Sequence, residues 1–418
     1  MNRKVFISFL GTGDYTPVKY QINELKPIES KYVQIASYQS LCKHFSNSDK
    51  ILIFSTPTAF KTNWLDNGHK DKITKEPKSN IGLNNCFKKI GVHTDPIEIP
   101  EGKSESEIWK IFQTVYDQLE HNDEVYFDIT HSLRSIPMLN MVLINYAKLL
   151  KEITVKGIFY GAFEVESEIK PIWDLTSFSE LQDWTLAAAG FIHYGQSKGI
   201  KDLAHQEVMP ILRNGYDENL MIAKEFFQLA KSIDAVTDAL ATNRGNEIVE
   251  GKIFENLKNN IENISNITFI PPFKPIIELI EQKTSWFNSD KDIMNGFRAV
   301  EWCIEHNLLQ QGYTMLQENI FTYYCHIAGL NYKNINDRKI VSDAFYAINN
   351  KLKNDDPKVK LVQQLISFEM AKLYESLTQD RNDINHAGFK RANSADNLRN
   401  NLLSKWNKCK ILLKLSQL

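Results

Sequence analysis

Arg381 and His386 stand five positions apart in RNDINHAGF, near the end of a 418-residue chain. Histidine titrates near neutral pH and can take or give a proton. Arginine stays charged and offers forked donors to phosphate oxygens. Such a pair could cut RNA without a metal. One group would deprotonate or steer the ribose 2′-hydroxyl, an acid would protonate the leaving 5′-oxygen, and positive charge would sit on the pentacoordinate phosphate. The 2′-hydroxyl would make the reaction RNA-selective, and the products would carry a 2′,3′-cyclic phosphate and a 5′-hydroxyl. The same stretch also reads as a polar turn between two helices, since Asp383 and Gly388 suit one.

Geometry limits the catalytic reading. Five residues of unbroken α-helix rotate by about 500°, leaving the two side chains about 140° apart. A shared cleft needs a helix that starts or breaks inside the motif, with Asp383 as N-cap, or an arginine that reaches around. Asn382 and Asn385 could orient the phosphate or the histidine, or bond their own backbone as turn residues. One arginine and one histidine are a thin catalytic set. Two copies facing across a two-fold axis would bring four such groups into one cleft.

A second group of residues lies at predicted strand ends. Gly11-Thr12-Gly13, Ser55-Thr56-Pro57, the Asp128–Ser135 segment DITHSLRS and Tyr160-Gly161-Ala162 each follow an apolar run. In open parallel sheets, ligands bind where strands end. Small residues there let backbone N–H groups approach a phosphate, and Arg134 could add a forked contact. GTGDYT lacks the third glycine of a dinucleotide fingerprint, and no Walker A sequence is present. His131 and Arg134 fit a ligand site or a capped helix start equally well.

The elements that must position these residues fall into two halves. Up to residue 176, strands and helices alternate. Strands are expected at Val5–Leu10, Val18–Ile22, Tyr32–Ala36, Ile51–Phe54, Pro96–Ile99, Glu124–Ile129, Ile158–Phe163 and Ile172–Leu175. Helices are expected at Tyr38–Phe45, Ser104–Leu119 and Ser135–Leu150, the second with Ser104 and Glu107 at capping-box spacing. Residues 61–90, rich in Lys, Asn, Asp and Gly, read as a mobile loop with one helix. This pattern predicts a mostly parallel sheet covered by helices on both faces. Phe178–Gly190 reads as a connecting helix. Helical periodicity then covers about 217–241, 246–262, 291–306, 308–328, 340–352, 358–378 and 395–415. IPPFK (270–274) and NYKNIN (331–336) interrupt it.

Composition narrows the classes. Hydrophobic residues are 43% and charged residues 24%, an ordinary globular balance. No apolar run reaches the roughly 18 residues of a membrane span, and the N-terminus reads as a first strand, without a cleavage site. Cys42, Cys86, Cys303, Cys325 and Cys409 form no C-x-x-C pair, which fits a reducing cytoplasm and disfavours structural zinc. Net charge is −2. From Asp380 onward eight Lys/Arg face three Asp, a balance of +5 that fits a solvated helix face or a phosphate-binding patch. Glu318 reads as helix surface or a buried contact, and the histidines besides His131 and His386 as surface or packing residues.

FLGTGDY…VKY, DITHSLRSIPML, YGAFE and PIWDLT together resemble the N-terminal domain of the CARF–HEPN ribonucleases of type III CRISPR systems. The resemblance implies a Rossmann-like CARF sensor over 1–176, a connecting helix over 177–200 and a helical HEPN ribonuclease domain over 201–418. The family's D-x-T-H-G appears as Asp128 to Ser132, with serine in place of glycine. By resemblance, a cyclic oligoadenylate binds at this edge across a dimer interface. Gly11, Thr12, Gly13, Ser55, Thr56, Thr130, His131, Ser132 and Arg134 are its candidate contacts. The family's R-x4-6-H is matched by Arg381 and His386, with Asn382 and Asn385 as helpers. The resemblance thus implies a cytoplasmic homodimer or higher oligomer, free of membrane, that cuts single-stranded RNA without metal or cofactor. Its allosteric activator would be cyclic tetra-adenylate, the ligand of the branch it resembles. Closure of the two sensor domains, passed through the 178–195 helix, would couple ligand to nuclease. Two alternatives stay open: a sensing regulator that binds RNA or protein without cutting, and a sensor that degrades its own ligand, using Thr12, Ser55, Thr130 and His131.

Overall fold

A computed structural model describes residues 2–66, 68–131, 136–209, 211, 218–265, 274–389 and 393–415. The chain divides into two compact units, Met1–Glu180 and Leu181–Leu418.

The first unit is built on one eight-stranded sheet. Its strands are β1 (Lys4–Leu10), β2 (Val18–Ile22), β3 (Ile28–Ser30), β4 (Lys50–Ser55), β5 (Pro96–Glu98), β6 (Glu124–Asp128), β7 (Thr154–Gly161) and β8 (Ile169–Asp174). They lie in the order β3-β2-β8-β7-β6-β1-β4-β5. β1 is an interior strand, parallel to both β4 and β6. Only the β2–β3 and β7–β8 pairs are antiparallel. The mostly parallel sheet is therefore as expected.

The sequence KVFISFL of β1 is apolar on both sides because helices cover both faces. Val5, Ile7 and Phe9 pack with Ile111 and Val115 on one side. Phe6 and Leu10 pack with Ile35, Leu83 and Phe87 on the other. The helices are α1 (Val33–Leu41), α2 (Leu83–Lys89), α3 (Glu105–Asp117) and α4 (Ile136–Lys151); α5 (Thr176–Tyr194) starts at the end of this unit and gives Trp184, Ala187 and Phe191 to the core of the second. A helical turn at Pro57–Ala59 widens into a π-turn at Phe60–Trp64.

Two local expectations fail. Tyr32–Ala36 is not a strand but enters α1, and residues 33–37 of that helix are all buried. A helix enclosed all round has no polar face, so its 3.6-residue period does not show, and β-branched Val and Ile mimic a strand. β7 begins at Thr154 rather than Ile158. Its start pairs irregularly with β6 between Val125 and Tyr126, and Gly157 interrupts the apolar run. The Ser104 cap forms as expected, accepting from Glu107 N at 3.3 Å, while Glu107 Oε2 accepts from Lys103 N.

The second unit is helical: α6 (Lys198–Leu203), α7 (Glu218–Ala241), α8 (Gly245–Glu250), α9 (Lys252–Ser265), α10 (Lys274–Thr284), α11 (Met294–Glu305), α12 (Leu309–Ile327), α13 (Ile335–Asn350), α14 (Pro357–Leu365), α15 (Phe368–Asn385) and α16 (Ala395–Leu413). Its core gathers Phe297, Trp302, Tyr313 and Trp406, all at most 1% exposed. Of the IPPFK interruption, 270–273 lie outside the described residues. The expected 246–262 helix is two helices, split at Gly251. The expected 358–378 helix is also two, because Ser367 caps a new start by accepting from Met370 N at 3.1 Å. That new helix runs on to Asn385. No helix among the described residues is long and apolar enough to cross a membrane.

Gly251 tests the α8–α9 corner. Its φ is +79°, and a Cβ there would lie 2.4 Å from the Asp290 carbonyl oxygen. Gly251→Ala should lower stability by about 2 kcal/mol or more, from left-handed strain plus the backbone clash. Urea denaturation of the full chain checks this.

Candidate functional site

In the first unit the parallel register brings the strand ends together. Ser8 sits beside Asp128, and Leu10 beside Ser55. Asp128 is fully buried. It accepts from Ser8 Oγ at 2.8 Å and from Thr130 N and Oγ1 at 3.1 and 2.5 Å. Burial pushes its pKa up, and these hydrogen bonds oppose the shift. Thr130 Oγ1 also accepts from Gly161 N at 2.8 Å. The threonine proton is thus committed to Asp128, and the D-x-T sequence clamps β6 to β7.

The glycine turn is held from a residue the sequence reading missed. Asn63, wholly buried, donates through Nδ2 to the Gly11 and Gly13 carbonyls at 2.9 and 2.8 Å. Two carbonyl partners fix that amide's orientation, so Oδ1 faces His69 Nε2 at 2.9 Å and His69 is the donor. Tyr15, part of the quoted GTGDY motif, stacks on His131 with ring centroids 4.3 Å apart. A Cβ on Gly11 would lie 2.2 Å from the Tyr15 hydroxyl, so glycine is required for that ring to seat. Burial raises Tyr15 to about 12. Burial also lowers His131 to about 4, and its Nε2 has no partner among the described residues.

The other candidates differ in access. Thr12 and Gly13 are exposed, whereas Ser55 and Thr56 are buried. Thr56 Oγ1 caps the Pro57 turn by accepting from Ala59 N at 3.2 Å, and Ser55 Oγ donates to the Thr56 carbonyl at 3.1 Å. Ser132 and Arg134 lie outside the described residues.

In the second unit α15 passes unbroken through Arg381, Asn382 and Asn385, and His386 is its C-cap. The expected break inside the motif is absent. RNDIN contains no Gly or Pro, and the helix stops only where Ala387 and Gly388 turn left-handed, at φ +53° and +73°. Ala387 N donates to Ile384 O and Gly388 N to Asp383 O, the pattern of a Schellman cap. Asp383 is not an N-cap. It is buried within the helix, and its Oδ2 accepts from Asn393 N at 3.0 Å. Arg381 and His386 therefore leave the helix in directions about 140° apart.

Arg381 is oriented by another residue the sequence reading missed. Gln317 on α12, 4% exposed, accepts from Arg381 Nη1 at 2.7 Å. An arginine cannot accept, so the amide orientation is fixed. Gln317 Nε2 donates to the Tyr374 hydroxyl and Thr378 Oγ1 at 2.7 and 2.8 Å. Glu318 Oε1 lies 4.0 Å from Arg381 Nη1, while Glu318 Oε2 bridges Arg338 at 2.5 Å. Arg381 Nε is buried without an acceptor. His386 and Asn382 are exposed; Asn385 Oδ1 accepts from Gln310 Nε2 at 3.2 Å. No signal in the sequence singles out Gln317, whose type is common on helices. Among the described residues, no group of three or more His, Cys, Asp or Glu side chains is placed to hold a metal.

A Rossmann-like sheet with a pinned glycine turn and a D-x-T-H anchored by a buried Asp128 at its strand ends, in a chain with a helical second unit, defines a class. Residues 5–164 match the family model "CRISPR system endoribonuclease Csx1, CARF domain". The first unit is a CARF domain. Residues 180–290 match "CRISPR-associated protein MJ1674, second domain". The chain is also similar to CRISPR-associated protein MJ1674 of Methanocaldococcus jannaschii, at 24% identity over 449 aligned positions. The alignment covers 96% of this chain but only 64% of that protein's length. Arg381 and His386 fall outside both family-model matches.

His131 makes the first unit sensitive to acid. An unfolded histidine titrates near 6.5 and this one near 4. Its native pKa is depressed, so the stability is whole above pH 6.5 and is lost as pH falls towards 4. Between pH 7 and pH 5 the wild type should lose about 2 kcal/mol more than His131→Phe, which keeps a ring against Tyr15. Urea denaturation at both pH values measures the difference.

Proposed function

We propose that the chain is a metal-independent HEPN-type endoribonuclease of type III CRISPR defence, switched on when a cyclic oligoadenylate binds its CARF domain. The observation that carries this reading is the orientation of Arg381 by Gln317, one turn before a helix end capped at His386. The CARF match in the same chain supports the sensor half. The ligand lies over Gly11, Thr12 and Gly13, near Thr130 and His131, and Ser132 and Arg134, which lie outside the described residues, are its further proposed contacts. Ser55 and Thr56 shape the edge from beneath. Cyclic tetra-adenylate is the activator.

Because Arg381 and His386 diverge on one helix, the cutting site is composite. Two copies of the chain contribute an arginine and a histidine each to one cleft. Arg381 holds the scissile phosphate, and His386 moves the proton to or from the reacting oxygens. The ligand switches the enzyme only by binding the active arrangement better than the resting one. The same divergence is what favours the second reading, a sensing regulator that binds RNA without cutting it. Degradation of the ligand by the sensor itself is disfavoured, since Thr130 has its proton committed to Asp128 and His131 is held neutral and stacked on Tyr15.

The test incubates the full chain with fluorescent RNA, EDTA and rings of three, four or six adenylates. Ring-dependent cleavage to 2′,3′-cyclic phosphate ends is expected. Arg381→Ala and His386→Ala should each lose about 100-fold or more in stimulated rate. Full stimulated rate in either variant contradicts the site, and ring-dependent RNA binding without cleavage supports the regulator.

A further inference from the structure

A cavity of about 390 Å³ opens in the helical unit, within the size range of small-molecule sites. It touches the proposed cutting site, because Glu318 lines it and lies 4.0 Å from Arg381. Two of its lining residues each carry a buried polar atom with no partner among the described residues. One is Nδ2 of Asn319, a side chain only 3% exposed. The other is Oδ1 of Asn243, which sits in the left-handed region at φ +57°. Gly296 leaves the room that Asn319 occupies, since a Cβ there would lie 2.1 Å from Asn319 Oδ1. The asparagine amide is thus seated by α11 packing.

The charges say what the cavity does not take. Its two cations are already paired, Arg338 with Glu318 at 2.5 Å and Lys333 with Glu250 at 2.8 Å. Arg338 also donates to Thr322 Oγ1 and to the carbonyls of Tyr332 and Glu318. A phosphate would have to displace a carboxylate. A neutral ligand with its own donor and acceptor meets no such obstacle, and Val249, Met315 and the Tyr332 ring give it apolar walls. A nucleobase has this chemistry: a flat apolar body and a hydrogen-bonding edge.

Resting on the ribonuclease reading, we infer that this cavity is a base-reading subsite for the RNA substrate. It holds a nucleotide next to the phosphate at Arg381, and Asn243 and Asn319 read the edge of its base. Burial makes the reading selective, because a base that leaves either amide atom unpaired forfeits a hydrogen bond out of water.

The experiment sequences the cleavage products of a randomised RNA for the wild type, Asn243→Gly and Asn319→Ala. Glycine suits the backbone at 243, and thermal melting confirms folding of both variants. The wild type should favour one base at a fixed offset from the cut. That ratio should fall about fivefold or more in each variant. An unchanged ratio in a folded Asn243→Gly overturns the subsite. A second arm does not depend on cleavage. Saturation-transfer NMR with the four 5′-mononucleotides should show base-selective binding that is lost in Asn243→Gly. Selectivity that survives Asn243→Gly, or no base-selective signal at all, overturns the subsite. If RNA is not cut but the NMR selectivity behaves as expected, the ribonuclease reading fails and the base site stands.

Discussion

The helical unit depends on one constraint: helix Phe368–Asn385 is straight through RNDIN and anchored from the inside. Asp380, 4% exposed, accepts from Lys405 Nζ at 2.5 Å, from the Tyr313 hydroxyl at 3.1 Å and from Asn401 at 3.3 Å. A buried carboxylate is tolerable only with such partners, and removing one would leave an unpaired charge inside. Anchored there, the helix turns Arg381 towards Gln317. Its end at Ala387 and Gly388 sets His386 at the rim, exposed. Gln317 in turn is held by Tyr374 and Thr378. The direction of one guanidinium thus follows from a chain of buried polar contacts between α12 and α15.

The CARF unit is organised by the same kind of device. The Asp128–Thr130–Gly161 clamp closes the gap between β6 and β7, and Asn63 pins the turn after β1. Both use polar side chains that bond backbone across the unit, Thr130 to Gly161 N and Asn63 to the Gly11 and Gly13 carbonyls. What faces outward is then Thr12 and Gly13. Under the proposed function, these small residues would let a ligand rich in phosphates and ribose hydroxyls approach the backbone closely.

The sheet was legible because parallel strands buried on both faces read as unbroken apolar runs, as in VFISFL and ILIF. The same property hid α1, since YVQIA is buried all round and shows no period. Gly251 and Ser367 carried the signals of helix ends, a glycine and a cap, yet apolar periodicity ran across both and masked the breaks. The candidate residues were visible by type and spacing. Their supports were not. Asn63 lies in a segment that reads as loop, and Gln317 looks like any helical glutamine. Their roles come from backbone and side-chain partners 50 or more positions away in sequence. Asp383 misled for a definite reason: an aspartate in a polar stretch suits an N-cap, but here it is buried and ties 383 to 393.

Arg381 and His386 diverge on one helix, so the proposed cutting site needs a pair of chains. That requirement is tested by co-expressing Arg381→Ala and His386→Ala chains with different tags and isolating the mixed species. The mixed dimer keeps one arginine and one histidine, on different chains. Ring-stimulated RNA cleavage well above that of either mutant homodimer is expected. Cleavage no higher than the homodimers, in a mixed dimer shown to be intact, would contradict it.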